Sequence, residues 1–569
     1  MQGLTRNWMS PPASDASKKL RDRILEARGF VTKEAQEDFL RAKWSTLEDP
    51  NALPGASVAG DLLCEAAKAE KKILIYGDYD ADGVTASTVL HHIIATATGR
   101  EGPQIYIPDR IEEGYGINVG AIEQFARDGV DLVVSVDCGI TAIEAAAKAK
   151  ELGIILIVTD HHKPLDDGTL PECAAIVHPS LNGDPSTYLA GVGVAFTVAR
   201  VFARAWSGSQ SITEQLSGCL KSMFPFVAIG TIADMVPLQN GNRVLVRKGL
   251  DYLPSTTNPG LRAIMRQLKT PLDNLNSSHI SFGIAPLINA VGRLHHAAKA
   301  VDLFTHLDGD IAESTASELA KINRDRQKIQ RDIIADALEQ ISQDKLQEKN
   351  IIVLQSDAWN RGVVGVAAGK CIETHYRPTI LLSGDGDDLV GSARSISGFS
   401  IYDAISACKE HVITFGGHDM AAGLRVARGS FDDFVSAITA YANKHISPEQ
   451  LIKKVKPDVV AFLEELDYKT ACGLEEIGPF GIGNPTPTVQ IMSARIDEVR
   501  VMGNEGAHLM MQLGESQNRT KCIWWNKGEM QSRLNRGDTI DLVANVKAND
   551  FRGHKSAELN IIDIKLPSG

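Results

Sequence analysis

Hydrophobic and polar positions follow a repeating plan from about residue 46 to 305. Apolar runs such as Ile73-Leu74-Ile75-Tyr76, Leu132-Val133-Val134-Ser135-Val136 and Ile154-Ile155-Leu156-Ile157-Val158 alternate with helical stretches over Val84–Thr96 and Ala142–Leu152. Apolar strands that alternate with helices at this spacing predict a parallel sheet covered on both faces. Ahead of this block, residues 1–45 read as short helices ending in the amphipathic stretch Thr32–Trp44. Behind it, a polar stretch from roughly Ile311 to Glu348 predicts a long connecting helix over 306–348. A second α/β block opens at Ile351-Ile352-Val353-Leu354 and occupies 349–445. From 455 to 569 the segments His508–Leu513, Lys521–Trp525, Thr539–Val546 and Leu559–Lys565, broken by Gly and Asn turns, predict a small β-barrel.

Composition narrows the function. The 569 residues are too many for one core. Eight scattered cysteines form no Cys-x-x-Cys pair, which argues against a disulfide framework or a structural zinc site and fits a reducing cytoplasm. No apolar run is long enough to span a bilayer and no export signal is readable, so no membrane partner is expected. The net charge of −12 argues against a general nucleic-acid coat. It is compatible with an enzyme whose clustered carboxylates are offset by cations.

The sharpest chemistry is Gly77-Asp78-Tyr79-Asp80-Ala81-Asp82-Gly83, between an apolar strand and a helix. Three carboxylates at alternate positions repel one another unless cations lie between them. Ser135-Val136-Asp137-Cys138-Gly139 and Val158-Thr159-Asp160-His161-His162 end two further strands, and Ile229–Pro237, with Asp234, reads as a fourth strand end. A parallel sheet would bring these residues to its carboxyl edge, where open α/β folds bind ligands. Taken singly, an Asp-x-Asp is ordinarily a turn or a helix cap, and Asp137 could cap the helix beginning near Ala142. His91–His92, inside a helix, read as incidental. Four acidic motifs at successive strand ends point instead to a centre of two hard cations, Mn²⁺ or Mg²⁺, able to generate hydroxide and clamp a phosphoryl displacement.

In these motifs the chain resembles the DHH phosphoesterase superfamily, which takes its name from Asp160-His161-His162. Within it the chain is similar, over nearly its full length, to the bacterial single-strand-specific exonucleases. The resemblance is carried by GDYDADG at 77–83, GYGI at 114–117, VDCGIT at 136–141, TDHH at 159–162, LAGVGVAF at 189–196 and GTIADMVPL at 230–238. NAVGRL at 289–294, GVVG at 362–365, GSARSI at 391–396, FGGHDMAAG at 415–423, PFGIGNPTP at 479–487 and FRGH at 551–554 extend it. Val291, Ala393 and Asp419 depart from the usual pattern. The resemblance implies a DHH catalytic domain (46–305), a DHH-associated domain (349–445) and an OB-type barrel (455–569). It also implies 5′-to-3′ digestion of single-stranded DNA in repair and recombination, alongside a RecQ-type helicase and single-strand-binding protein. Carried over by residue, it gives Asp80, Asp82, Asp137, His161 and Asp234 as metal ligands, with Asp137 bridging and Asp78 in support. His162 would bond the scissile phosphate and Asp160 would orient an imidazole.

Substrate contacts are expected from Arg110, Asn289, Arg293, Ser392 and Arg394, with guanidiniums and a hydroxyl suited to phosphate, and from His418. Arg110, Arg293, Ser392 and Arg394 together suggest a pocket for a terminal 5′-phosphate. Arg324, Arg326, Lys328 and Arg331 on the long helix offer a possible DNA-facing stripe. In the barrel, Ile523 and Trp525 share a face expected to be core, leaving Trp524 on the other face either to stack a base or to pack in the barrel's core or edge. A small-molecule phosphodiesterase of the same superfamily and a catalytically silent scaffold are the competing readings.

Overall fold

The computed structural model describes residues 2–110, 113–183, 188–208, 211–269, 275–514, 519–551 and 553–566, so Arg552 of the FRGH motif lies outside the described residues. The chain divides into two compact units: Arg41–Asp325 with Gly478–Pro485, and Met1–Leu40 with Arg326–Ile477 and Thr486–Gly569.

The first unit is built on five parallel strands: β1 (Ile73–Gly77), β2 (Gln104–Tyr106), β3 (Leu132–Val136), β4 (Ile155–Thr159) and β5 (Ala175–Val177), in the order β2-β1-β3-β4-β5. Ile75 pairs with Val134, and Val134 with Ile157, so the strand ends are level. Because side chains alternate along a strand, β1 serves two cores. Ile73 and Ile75 face α1 (Ala81–Thr98), α4 (Gly191–Ser207) and α5 (Phe224–Ala233). Leu74 and Tyr76 face α2 (Val119–Arg127) and α3 (Ile143–Glu151). β1, β3 and β4 are buried on both faces, which is why they read as unbroken apolar runs.

One expectation is corrected here. The run through Ile229 and Ile232 is not a strand; it belongs to helix α5, buried from Phe224 to Ile232. A helix apolar on every side carries no periodicity to distinguish it from a buried strand. Asp234 therefore caps the C-terminus of a core helix. Among the described residues, Glu214–Ala233 is the one stretch long and apolar enough to cross a membrane, and it is mostly buried in this unit. PFGIGNPTP, expected with the barrel, contributes Pro479–Pro485, together with the preceding Gly478, to the catalytic unit. Arg243, Ser277 and Gln239 donate to the carbonyls of Gly478, Phe480 and Gly483.

In the second unit, β6 (Ile352–Ser356), β7 (Thr379–Asp385), β8 (Asp388–Arg394), β9 (Thr414–His418) and β10 (Ala421–Ala427) form a sheet ordered β9-β10-β8-β7-β6. Only β6 and β7 are parallel. The barrel comprises β11 (Val459–Val460), β12 (Thr488–Met502), β13 (His508–Leu513), β14 (Thr520–Trp524), β15 (Thr539–Phe551) and β16 (His554–Lys565). It runs β11-β12-β13-β14-β16-β15 and closes through β12–β15 pairing, which leaves the five long strands without a free edge. The N-terminal lead joins this unit. Asn7–Trp8 pairs with Lys454–Val455, and the fully buried Asp563 accepts from Thr5, the Arg6 N–H and the Trp8 indole. A 35-residue helix, α7 (Gly309–Gln343), runs through the boundary between the units.

Candidate metal centre

The acidic motif after β1 is shaped by backbone contacts. Asp80 is the N-cap of α1, accepting the N–H groups of Asp82 and Gly83 on Oδ1, so the capping reading holds for one of its oxygens. Gly83 packs where a Cβ would stand 2.6 Å from the Asp78 Cβ, which lets the helix start directly over that carboxylate. Asp82 is fully buried. Its Oδ2 accepts the N–H of Gly191 at 2.6 Å and its Oδ1 that of Val192 at 2.9 Å. The N-terminus of α4 thus clamps a carboxylate from α1, a favourable place for negative charge. Asn289, expected to touch substrate, accepts the Ala81 N–H at 2.7 Å and helps hold the same loop.

At the end of β3, Asp137 does not cap α3, whose N-cap is Ala142 with no side-chain bond. Instead it adopts a left-handed backbone, φ +62°, fixed by its N–H on the Thr159 carbonyl. Such strain in a non-glycine residue persists where the surroundings over-determine it. Asp160, at the end of β4, accepts from the N–H of Ile140, the N–H groups of His161 and His162, and His162 Nδ1 at 2.8 Å. Tyr115 places its hydroxyl 2.9 Å from His162 Nδ1 and 3.3 Å from the Asp137 carbonyl. Its motif was visible in the sequence, but its part in orienting His162 was not.

Three ligand sets converge: Asp78 with Asp80 and Asp137, Asp82 with His161 and Asp234, and Asp137 with His161 and His162. His161 Nε2 lies 3.1 Å from Asp137 Oδ1, 3.5 Å from Asp234 Oδ2 and 3.9 Å from Asp82 Oδ2. Asp137 and His161 each belong to two of these sets and so link them. Asp78 Oδ1, Asp137 Oδ1 and His161 Nε2 are buried without a hydrogen-bond partner. Buried polar atoms are rarely left so, and these three point at one another's neighbourhood.

The electrostatics agree. Burial, then the Asp80 charge, raises Asp78 well above the usual carboxylate range and lifts Asp82 to about 7. Burial, then Asp82 and Asp80, pushes Asp137 well up and Asp234 to about 9. Burial and the neighbouring His162 hold His161 down at about 3, which leaves its imidazole neutral and able to ligate. Burial opposes charge on His162 and Asp160 as well, but their mutual hydrogen bond prevails, raising His162 to about 9 and holding Asp160 at about 2. Repelling carboxylates that share one neutral imidazole suit a pair of hard divalent cations.

The other expected residues divide between the units. In the first, Arg110 lies over the Tyr79 ring at 4.8 Å and Arg293 lies in the last turn of α6 (Ala285–Leu294). In the second, Arg394 donates to Ser392 Oγ at 2.8 Å on β8, and His418 is exposed at the end of β9. The proposed terminal-phosphate residues are thus shared by two units. Arg324, Lys328 and Arg331 are exposed on α7, whereas Arg326 is buried, so the stripe loses one member. His91 and His92 bond the carbonyls of Pro103 and Phe304, as structural histidines do. The Trp524 expectation is corrected: this ring is 3% exposed, while Trp525, just past the strand, is 48% exposed with its indole N–H on Asn560. The strand ends at Trp524, so alternation no longer governs the next residue.

A parallel sheet whose strand ends gather aspartates around paired histidines defines a DHH-type protein. The family models agree: "DHH family, N-terminal domain" matches residues 72–230, "DHHA1 domain" 348–444 and "RecJ OB domain" 457–563. The chain is 35% identical over 544 residues to the single-stranded-DNA-specific exonuclease RecJ of Bacillus subtilis, covering 95% of this chain and 67% of that one. It is 31% identical over 571 residues to the RecJ of Dickeya dadantii, covering 96% of each. The crystal structure of RecJ in complex with Mn²⁺ from Thermus thermophilus superposes with a TM-score of 0.82 at 27% identity, covering 99% of this chain and 80% of that one. The chain belongs to the RecJ family.

Proposed function

We propose that the chain is a metal-dependent exonuclease that digests single-stranded DNA from 5′ to 3′, acting in DNA repair and recombination. The observation that carries this reading is the convergence of five aspartates and His161 on three overlapping ligand sets, linked through Asp137 and His161. RecJ relatives named for single-stranded DNA and RecJ structures holding Mn²⁺ or Mg²⁺ support the substrate and the cofactor.

Asp78, Asp80, Asp82, Asp137, His161 and Asp234 would hold two cations, Mn²⁺ or Mg²⁺. When bound, such a pair supplies a nucleophilic water and offsets charge building on the phosphate. The chain's own residues do the rest. Asp160 engages His162 Nδ1 and keeps the ring charged, which leaves Nε2–H to donate to a phosphate oxygen. The Gly191 and Val192 N–H groups keep Asp82 in place. Arg110, Arg293, Ser392, Arg394 and His418 contact the strand. A RecQ-type helicase and single-strand-binding protein would supply it, in the cytoplasm, consistent with eight free cysteines. The test is digestion of labelled single-stranded oligonucleotides with Mn²⁺, Mg²⁺ or chelator. Cation-dependent release of nucleotides is expected; undiminished digestion under chelation would sink the metal assignment.

A further inference from the structure

We infer that Phe282 is a base-stacking residue on the path of the single strand through the catalytic unit, an inference that rests on the single-strand reading above. Among the described residues it is the most exposed large apolar side chain, at 84%. It sits in the middle of a π-helical turn, Ile280–Ile284, whose end residues are fully buried. The turn has a cause in the sequence. Pro286, in the first turn of α6, lacks the N–H that would bond the Phe282 carbonyl in a regular helix. The widened turn keeps Ile280 and Ile284 in the core and leaves the residue between them in water, and such turns recur at functional sites.

Two connections tie the turn to the metal centre. It packs against α5, which ends at Asp234. It also runs unbroken into α6, where Asn289 holds the Ala81 N–H and Gly292 packs against the Tyr79 backbone. Asn289 is seven residues on, about 10 Å along the helix. Met235, the residue after Asp234, is likewise 66% exposed in a left-handed backbone. Exposed apolar side chains thus stand on both elements that border the carboxylates. The cations and guanidiniums account for a strand's phosphates; a flat aromatic surface on a helix that leads to the carboxylates matches the part left over, an unstacked base. A duplex keeps its bases stacked, so this contact would favour single strands only.

The experiment uses the full chain with Mn²⁺ and oligonucleotides carrying one abasic unit, walked stepwise from the 5′ end. Wild type should slow when the abasic unit reaches one particular position. Phe282→Ala should raise KM about 5- to 150-fold, leave kcat nearly unchanged and erase the abasic dependence at that position. Phe282→Trp should keep both. Melting temperature should not move, because the side chain supports no core. If wild type digests single strands and Phe282→Ala matches it in KM and abasic profile, stacking is refuted. The same holds if the variant's one effect is loss of concentration-dependent self-association. Wild type that digests no single strand at all would fail at the parent reading, and the inference falls with it.

Discussion

Gly191→Ala adds one methyl group and should disable the centre. Its Cβ would stand 2.6 Å from the Cβ and Cγ of Asp137, about an ångström inside ordinary carbon contact. Neither side yields easily. Asp137 is held in a left-handed conformation by its N–H on Thr159, and Gly191 is held by its N–H on Asp82. If Asp137 moves, the residue shared by two ligand sets is displaced. If the start of α4 retreats, Asp82 loses hydrogen bonds worth about 1.5–3 kcal/mol each. Overpacking itself costs about 1–3 kcal/mol. A misplacement of about 1 Å costs roughly 100-fold in rate, and a disturbed supporting contact weakens metal binding about 10- to 100-fold. The assay is a Mn²⁺ titration of single-strand digestion, with calorimetric Mn²⁺ binding beside it. The expected result is a drop in kcat/KM of roughly 100-fold, weaker Mn²⁺ binding and a folded protein by circular dichroism. Wild-type activity with a wild-type Mn²⁺ response would refute the reasoning.

Other changes follow from the same geometry. Asp137→Ala should abolish hydrolysis, yet the melting temperature without metal should hold or rise, because a buried carboxylate crowded by Asp82, Asp80 and Asp78 has been removed; near-normal turnover would defeat the bridging role. Trp524→Ala should cost about 3–5 kcal/mol in denaturant unfolding as a core truncation, whereas Trp525→Ala should leave stability alone and weaken binding to long single strands by about 1–3 kcal/mol. Burial lowers the pKa of His91 and His92 from 6.5, so on acidification the unfolded chain takes up protons that the folded chain excludes. Stability present above that value should fall as pH drops below it, and His92→Gln should flatten the slope of melting temperature between pH 7 and 5.

Much of the candidate centre was legible in the sequence because each candidate ligand lies at or beside a recognisable element end. Asp78 to Asp82 come directly after an apolar strand, and level parallel strands put Asp137 and Asp160 beside them. Asp234 was found for a partly mistaken reason, since its flanking run reads equally as strand or helix until packing decides. Trp524 and Trp525 were exchanged because a strand's alternation holds only while the strand continues, and the ladder stops at Trp524. The Gly191–Val192 clamp, the Tyr115 contact with His162 and the docking of the N-terminal lead on Asp563 join residues far apart in the chain. No local periodicity encodes them. Arg326 shows the same limit, because a charged residue on a polar helix turned inward.

The central claim, cation-dependent digestion of single strands from the 5′ end, is tested most directly by one time course. The same oligonucleotide is labelled at either end, single-stranded or annealed to its complement, and incubated with Mn²⁺. With the 5′ label on the single strand, labelled mononucleotide should appear at once while intermediate lengths carry no label. With the 3′ label, a ladder should shorten progressively, and the blunt duplex should survive. A shrinking ladder from the 5′-labelled strand, or equal digestion of the duplex, would contradict the account.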